Sequence, residues 1–281
     1  MRDMSNLNSL RIAVIGGGNM ARGLIGGLLG QGATAAHITV AEPNESARST
    51  LVRDFGVTVT ADNAAAVAGA RVVILAVKPQ LMADVARALA PALQATRPLV
   101  ISVAAGIRAE RLQHWLGPDI AVVRSMPNRP ALIGAGATGL YASAALSAED
   151  RALAQQVLAS TGLCLWVRTE ADIDVVTALS GSGPAYFFRL AELMAEAAVA
   201  QGLEPDVAHK LAAQTLAGAG QLVAAEASPD LARMRAEVTS KGGTTEAALA
   251  RFAEQGFDRL VAAAMAAAAQ RSRELAEQFG A

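Results

Sequence analysis

The segment Ile12-Ala13-Val14-Ile15-Gly16-Gly17-Gly18-Asn19-Met20-Ala21 decides the fold. Its first four residues are apolar, three of them β-branched, and read as a buried strand. A G-x-G-x-x-A turn follows at once and leads into a helical pattern over residues 20–29. Gly16 permits a tight turn, and Gly18 lets the backbone approach a pyrophosphate. Ala21 keeps helix and strand close, while the free N–H groups of the helix's amino end attract phosphate. A glycine pattern alone is weak, but this one sits in the strand–turn–helix context that specifies dinucleotide binding.

Outward from this segment, short apolar runs alternate with helical patterns. Strands are expected at residues 11–15, 38–42, 57–59, 72–77, 99–103 and 120–124, and helices at 20–29, 61–68, 81–93 and 109–116. Two further strands, 138–142 and 163–167, flank a helix at 148–160, opened by Ser147 with Asp150 and closed by Gly162. Near-continuously apolar strands at this spacing predict an α/β fold, a Rossmann-type doubly wound parallel sheet. Past 169–174 the strand signal ends. Phe187, Leu190, Leu193, Met194, Ala197 and Ala198 share one helical face, and 205–226 and 256–279 are helical too. The expected organisation is a polar, flexible leader at 1–10 without a signal-peptide core, a dinucleotide-binding domain at 11–169 and an all-helical domain at 170–281. Such helices suit packing against a second copy, or an intrachain bundle.

Of the 281 residues, 53% are hydrophobic and 17% charged. Alanine inflates the first figure, and no apolar run approaches the about 20 residues of a membrane span. A formal net charge of −1 leaves no electrostatic footprint for nucleic acid. Cys164 is the single cysteine, which forbids an intrachain disulfide and suits a reducing cytoplasm. No His/Cys/carboxylate cluster has metal-ligand spacing, so no metal is expected.

In such sheets ligands bind at the carboxyl ends of strands. Glu42 ends the second strand, where it would bond the ribose 2′-hydroxyl of NAD and repel the 2′-phosphate of NADP. Asn44, Ser46 and Arg48 follow closely and could hold a phosphate, so both cofactors stay open. Ala76-Val77-Lys78-Pro79 ends the fourth strand, with Lys78 either beside the dinucleotide or solvated in its loop. Ser102-Val103-Ala104-Ala105-Gly106 ends the fifth, and its small residues leave room for a nicotinamide ring. Arg124-Ser125-Met126-Pro127-Asn128 ends the sixth.

Two segments stand out from the alanine-rich helices, Leu179-Ser180-Gly181-Ser182-Gly183-Pro184-Ala185-Tyr186 and Val238-Thr239-Ser240-Lys241-Gly242-Gly243-Thr244-Thr245-Glu246. The second opens a helix, and its hydroxyls and backbone N–H groups suit a carboxylate or phosphate. An unliganded helix-cap loop has the same composition.

Taken in order, GGGNMA, AVKPQ, SVAAG, RSMPNRP, LSGSGPAYFF and VTSKGGTTEAAL resemble the pyrroline-5-carboxylate reductase family, from Leu10 to about Leu275. The resemblance implies reduction of the cyclic imine 1-pyrroline-5-carboxylate to L-proline with NADPH or NADH, the last step of proline biosynthesis. It implies that Ile15, Gly16, Gly17, Gly18, Asn19 and Met20 hold the cofactor with Ala76, Val77, Lys78 and Pro79, and that Asn63 touches the adenosine end. Ser240, Gly242, Gly243, Thr244 and Thr245 would bind the substrate carboxylate. Thr245 would also hydrogen-bond the ring nitrogen as the catalytic residue, with Glu226 near the same pocket. Lys241 departs from the proline of many members. Family members assemble from dimers with interlocked helical domains, often into decamers, and each site draws on two chains.

A 3-hydroxyacid dehydrogenase shares the two-domain plan but needs an acid/base lysine on the first helix of its second domain. The helix after Pro184 offers Arg189 and no lysine before Lys210, and arginine keeps its proton near neutral pH. A dinucleotide-binding regulator would not need the Gly/Thr turn at all.

Overall fold

The computed structural model describes residues 7–143 and 145–279. The chain divides into two compact units. Residues up to Ser182, with those from Ala268 onward, form one; Gly183–Ala267 forms the other.

The first unit is built on eight strands: β1 Ile12–Ile15, β2 Ile38–Ala41, β3 Thr58–Thr60, β4 Val72–Leu75, β5 Leu99–Ser102, β6 Ala121–Met126, β7 Gly136–Ala142 and β8 Gly162–Trp166. They lie side by side in the order β3-β2-β1-β4-β5-β6-β7-β8. Pairs from β3 through β6 are parallel, whereas β7 runs antiparallel to β6 and β8 parallel to β7. The reversal departs from an all-parallel sheet for a physical reason. Only a short 3₁₀ segment, Arg129–Ile133, separates β6 from β7, too little for the crossover a parallel pair needs.

The helices of this unit are α1 Asn19–Gly30, α2 Glu45–Phe55, α3 Asn63–Val67, α4 Met82–Thr96, α5 Ala109–Leu116, α6 Ala148–Leu158 and α7 Asp172–Val176. Strand residues alternate between two cores. Ile12 and Val14 pack with Leu24, Leu28 and Val157, while Ala13 and Ile15 pack with Leu89 and Leu112. Both faces of the central strands are therefore covered, which is why their sequences read as unbroken apolar runs. Leu7–Ser9 forms a 3₁₀ turn, and Leu7 and Leu10 are buried in the first of these cores. The Asn8 carbonyl lies 2.7 Å from His37 Nδ1. The second half of the expected leader is thus packed, because two leucines cover the core's edge; residues 1–6 lie outside the described residues.

The second unit holds α8 Gly183–Ala200, α9 Pro205–Ala224, α10 Leu231–Glu237, α11 Thr244–Glu254 and the first part of α12 Phe257–Phe279. α8 buries Ala195 and α9 buries Ala208, but α11 buries no residue and α12 none before Ala269. Phe187 is 61% exposed and Leu260 66%, with Phe188, Leu211 and Leu222 similarly open. Apolar surface on this scale marks a contact face. Among the described residues no helix is long and apolar enough to cross a membrane.

Candidate active site

β1 delivers the chain to Gly16 where the strand order reverses, with β2 on one side and β4 on the other. Gly16 adopts φ +99°, and a Cβ there would come within 2.7 Å of the Ala76 carbonyl oxygen. The Ala76 N–H donates to the Ile15 carbonyl at 2.8 Å, so the ends of β1 and β4 form one seam. Gly18 is the N-cap of α1 and supplies no side-chain acceptor. α2, α3 and α6, in contrast, are capped by Asn44, Asp62 and Ser147. A Cβ at Gly18 would meet nothing within 4 Å. The first-turn N–H groups, those of Asn19 and Met20 among them, have no intrahelical or side-chain cap partner and lie at the positive end of the helix dipole, a fit for a pyrophosphate.

Glu42 borders this turn. Its Oε2 accepts the Gly17 N–H and its Oε1 the Asn44 N–H, both at 2.9 Å. The carboxylate is therefore anchored by backbone on both oxygens, between the glycine turn and the amino end of α2. Asn44 spends its own Oδ1 on the Ala47 N–H and the Ser46 hydroxyl. Arg48 donates from one nitrogen to the carbonyls of Glu42 and Pro43, each at 2.8 Å.

The other cofactor candidates lie on the same edge of the sheet. Asn63 is the first residue of α3, which follows the carboxyl end of β3. Val77 and the exposed Lys78 follow β4, and Lys78 is the N-cap of a 3₁₀ turn begun by Pro79. The 102–106 turn follows β5, with Ala104 buried and Ala105 partly open. Gly106 adopts φ +74°. Two motifs the sequence reading left without a role meet here as well. Asn128 donates to the Ser180 carbonyl at 3.0 Å and accepts the Ala137 N–H at 2.9 Å, and Gly181 lies against the end of the Met126 side chain.

The 240–245 turn lies in the second unit. Gly243 is the N-cap of α11 and, like Gly18, offers no side-chain acceptor. Gly242 adopts φ +72°, a conformation glycine tolerates readily. Its N–H donates to Glu246 Oε2 at 2.7 Å, and the Gly243 N–H to the Ser240 carbonyl at 3.0 Å. Thr244 and Thr245 open the helix, so their N–H groups have no intrahelical partner. Lys241 is exposed. The Glu226 carboxylate pairs with Arg233, which also pairs with Glu237. Those two partners, Glu226 foremost, hold the Arg233 guanidinium above its usual range.

An open, uncapped glycine turn at the switch point of a doubly wound sheet places this chain among the dinucleotide-binding proteins. Residues 11–106 match the family described as NADP oxidoreductase, coenzyme F420-dependent, and residues 170–275 match pyrroline-5-carboxylate reductase dimerisation. The pyrroline-5-carboxylate reductase of Pseudomonas aeruginosa is 50% identical over 275 residues, covering 98% of this chain and 100% of the relative. That of Vibrio alginolyticus is 42% identical, covering 96% and 98%. The solved structure of the Coxiella burnetii enzyme is 38% identical with a TM-score of 0.90, covering 95% and 99%. The chain belongs to the pyrroline-5-carboxylate reductase family. It is an NAD(P)H-dependent oxidoreductase that self-associates through its helical region.

Proposed function

We propose that the chain reduces 1-pyrroline-5-carboxylate to L-proline, holding NAD(P)H at the Gly16–Gly18 turn and the substrate at the 240–245 turn. The carrying observation is that α1 and α11 both begin on glycine without a side-chain cap. Each leaves backbone donors for an anion, a pyrophosphate at one and a carboxylate at the other. The bound cofactor supplies a hydride from nicotinamide C4 to the imine carbon. The first-turn N–H groups of Thr244 and Thr245 and the Ser240 hydroxyl hold the substrate carboxylate. The Thr245 hydroxyl accepts from the protonated ring nitrogen and fixes the ring's orientation. A protonated imine is already electrophilic, so orientation and fixed dipoles carry the catalysis, with no strong protein acid. Asn63 and Glu42 serve the adenosine side, and Ala104, Ala105 and Gly106 receive the nicotinamide.

A functional division at residue 170 is part of this proposal, supported by the dimerisation match that starts there, while residues 170–182 and those from Ala268 pack with the first compact unit. So are a cytoplasmic location, consistent with the lone Cys164, and assembly into decamers. The net charge of −1 gives no support to a nucleic-acid partner.

Mixing the protein with pyrroline-5-carboxylate and either NADPH or NADH, and following the absorbance of the reduced nicotinamide, tests the reaction and reads the cofactor preference together. Oxidation is expected only with substrate present. Thr245→Ala is expected to lower turnover about ten- to a thousand-fold, as loss of one well-placed hydrogen bond does. Unchanged kinetics in that variant would remove Thr245 from the site.

A further inference from the structure

We propose that Arg124, Glu170, Asp174 and Ser272 form a buried positioning cluster for the 102–106 turn; this rests on the reading that the turn receives the nicotinamide. The Arg124 side chain is 2% exposed and that of Asp174 5%. Arg124 donates from one terminal nitrogen to Glu170 Oε1 at 3.0 Å, and its other stands 3.9 Å from Asp174 Oδ1. Ser272, on α12, donates its hydroxyl to that same Asp174 oxygen at 2.6 Å. Glu170 Oε1 also accepts the Ala109 N–H at 2.6 Å.

Each of these contacts holds one boundary of the turn. Ala109 starts α5 just after it, and the local N-cap, Arg108, supplies no acceptor; Glu170 does so instead. Arg124 lies beside Ser102 in the β5–β6 register, and its neighbour Ser125 donates to the Ser102 carbonyl at 2.8 Å. Gly106 backs onto α12, where a Cβ would stand 3.3 Å from Leu275 and from Phe279. Ser272 is one helical turn before Leu275, so its bond to Asp174 fixes where α12 meets the glycine. Strand, capped helix and terminal helix thus converge on one turn, with Arg124 between the two carboxylates.

Stability alone does not call for charges here, since apolar replacements of buried ion pairs are often neutral or stabilising. Directional bonds among three elements instead set a single position for the turn. Hydride transfer is sensitive to misplacement of about 1 Å, so that position matters to the rate.

The test uses the full chain with NADPH, and NADPH deuterated at the transferred position, against pyrroline-5-carboxylate. Ser272→Ala and Glu170→Gln are expected to lower kcat about tenfold. Both should raise the KM for NADPH and enlarge the isotope effect, with the KM for pyrroline-5-carboxylate held within about twofold. Ser272→Thr, which keeps the hydroxyl, should restore all three. Should Glu170→Gln fail to fold, the serine pair still decides. A fall in melting temperature with kcat, KM and isotope effect at wild-type values would overturn the proposal. Ala105→Leu separates it from its premise: an unchanged KM for NADPH in that variant would remove the turn from the cofactor site and the proposal with it. A raised KM there, beside wild-type behaviour in the serine and glutamate variants, would overturn the proposal alone.

Discussion

Gly16 and Gly18 do different work in the same turn, and substitution separates them. Gly16 needs its left-handed conformation and abuts the Ala76 carbonyl, so Gly16→Ala is expected to cost about 1–3 kcal/mol of stability from backbone strain, read as a lowered melting temperature. Gly18 has an ordinary φ of −70° and open space where a Cβ would point. Gly18→Ala should therefore fold and melt like the wild type while raising the KM for the reduced cofactor about tenfold, because the methyl group occupies the phosphate's approach. Equal melting temperatures for both variants, or an unchanged cofactor KM at Gly18→Ala, would contradict this division. Cys164 is the opposite sort of residue. Burial pushes its thiol up from the ordinary range, which keeps it protonated and unreactive.

At the scale of elements, what the sequence disclosed follows from burial. β1 and β4 are covered on both faces and read as unbroken apolar runs, and β5 breaks its run only at Ser102. α2 buries only Leu51, so no apolar stripe announced it. The direction of β7 was illegible because period-two patterning is the same either way; the short β6–β7 connection decides it. The cofactor turn was legible because its chemistry is local in sequence. Glu170 and Ser272 were not, because their partners Arg124 and Asp174 lie 46 and 98 residues away. α7 carries a prediction of its own. Asp172, its first residue, accepts the Thr169 N–H at 2.9 Å, and Thr169's backbone and hydroxyl bonds hold the carboxyl below its usual value. A depressed folded-state pKa contributes stability above the ordinary carboxylate range, about pH 4, and that contribution is lost as the pH falls through the folded value. Asp172→Asn is expected to melt below the wild type near neutrality and to converge with it on acidification. A gap that widens toward acid would show that the carboxylate is not what stabilises this helix start.

At the scale of the molecule, the second unit gives the physical reason the chain self-associates. Its helices bury little among themselves, while Phe187 and Leu260 stand open. Covering a side chain of that size is worth about 1.5–3 kcal/mol, so several of them together favour a partner copy strongly. Folding stability is then tied to protein concentration by mass action. The melting temperature of the wild type should rise as the protein is concentrated, and light scattering should return a mass above that of one chain. Phe187→Glu and Leu260→Glu place a charge on that face, which must be desolvated on association. Each is expected to lower the mass toward the single chain, flatten the concentration dependence and reduce turnover. A variant that scatters as a single chain yet keeps full turnover would mean that one chain holds a complete site and that association serves something other than catalysis. A variant that keeps the wild-type mass would place the contact on another face of the helices.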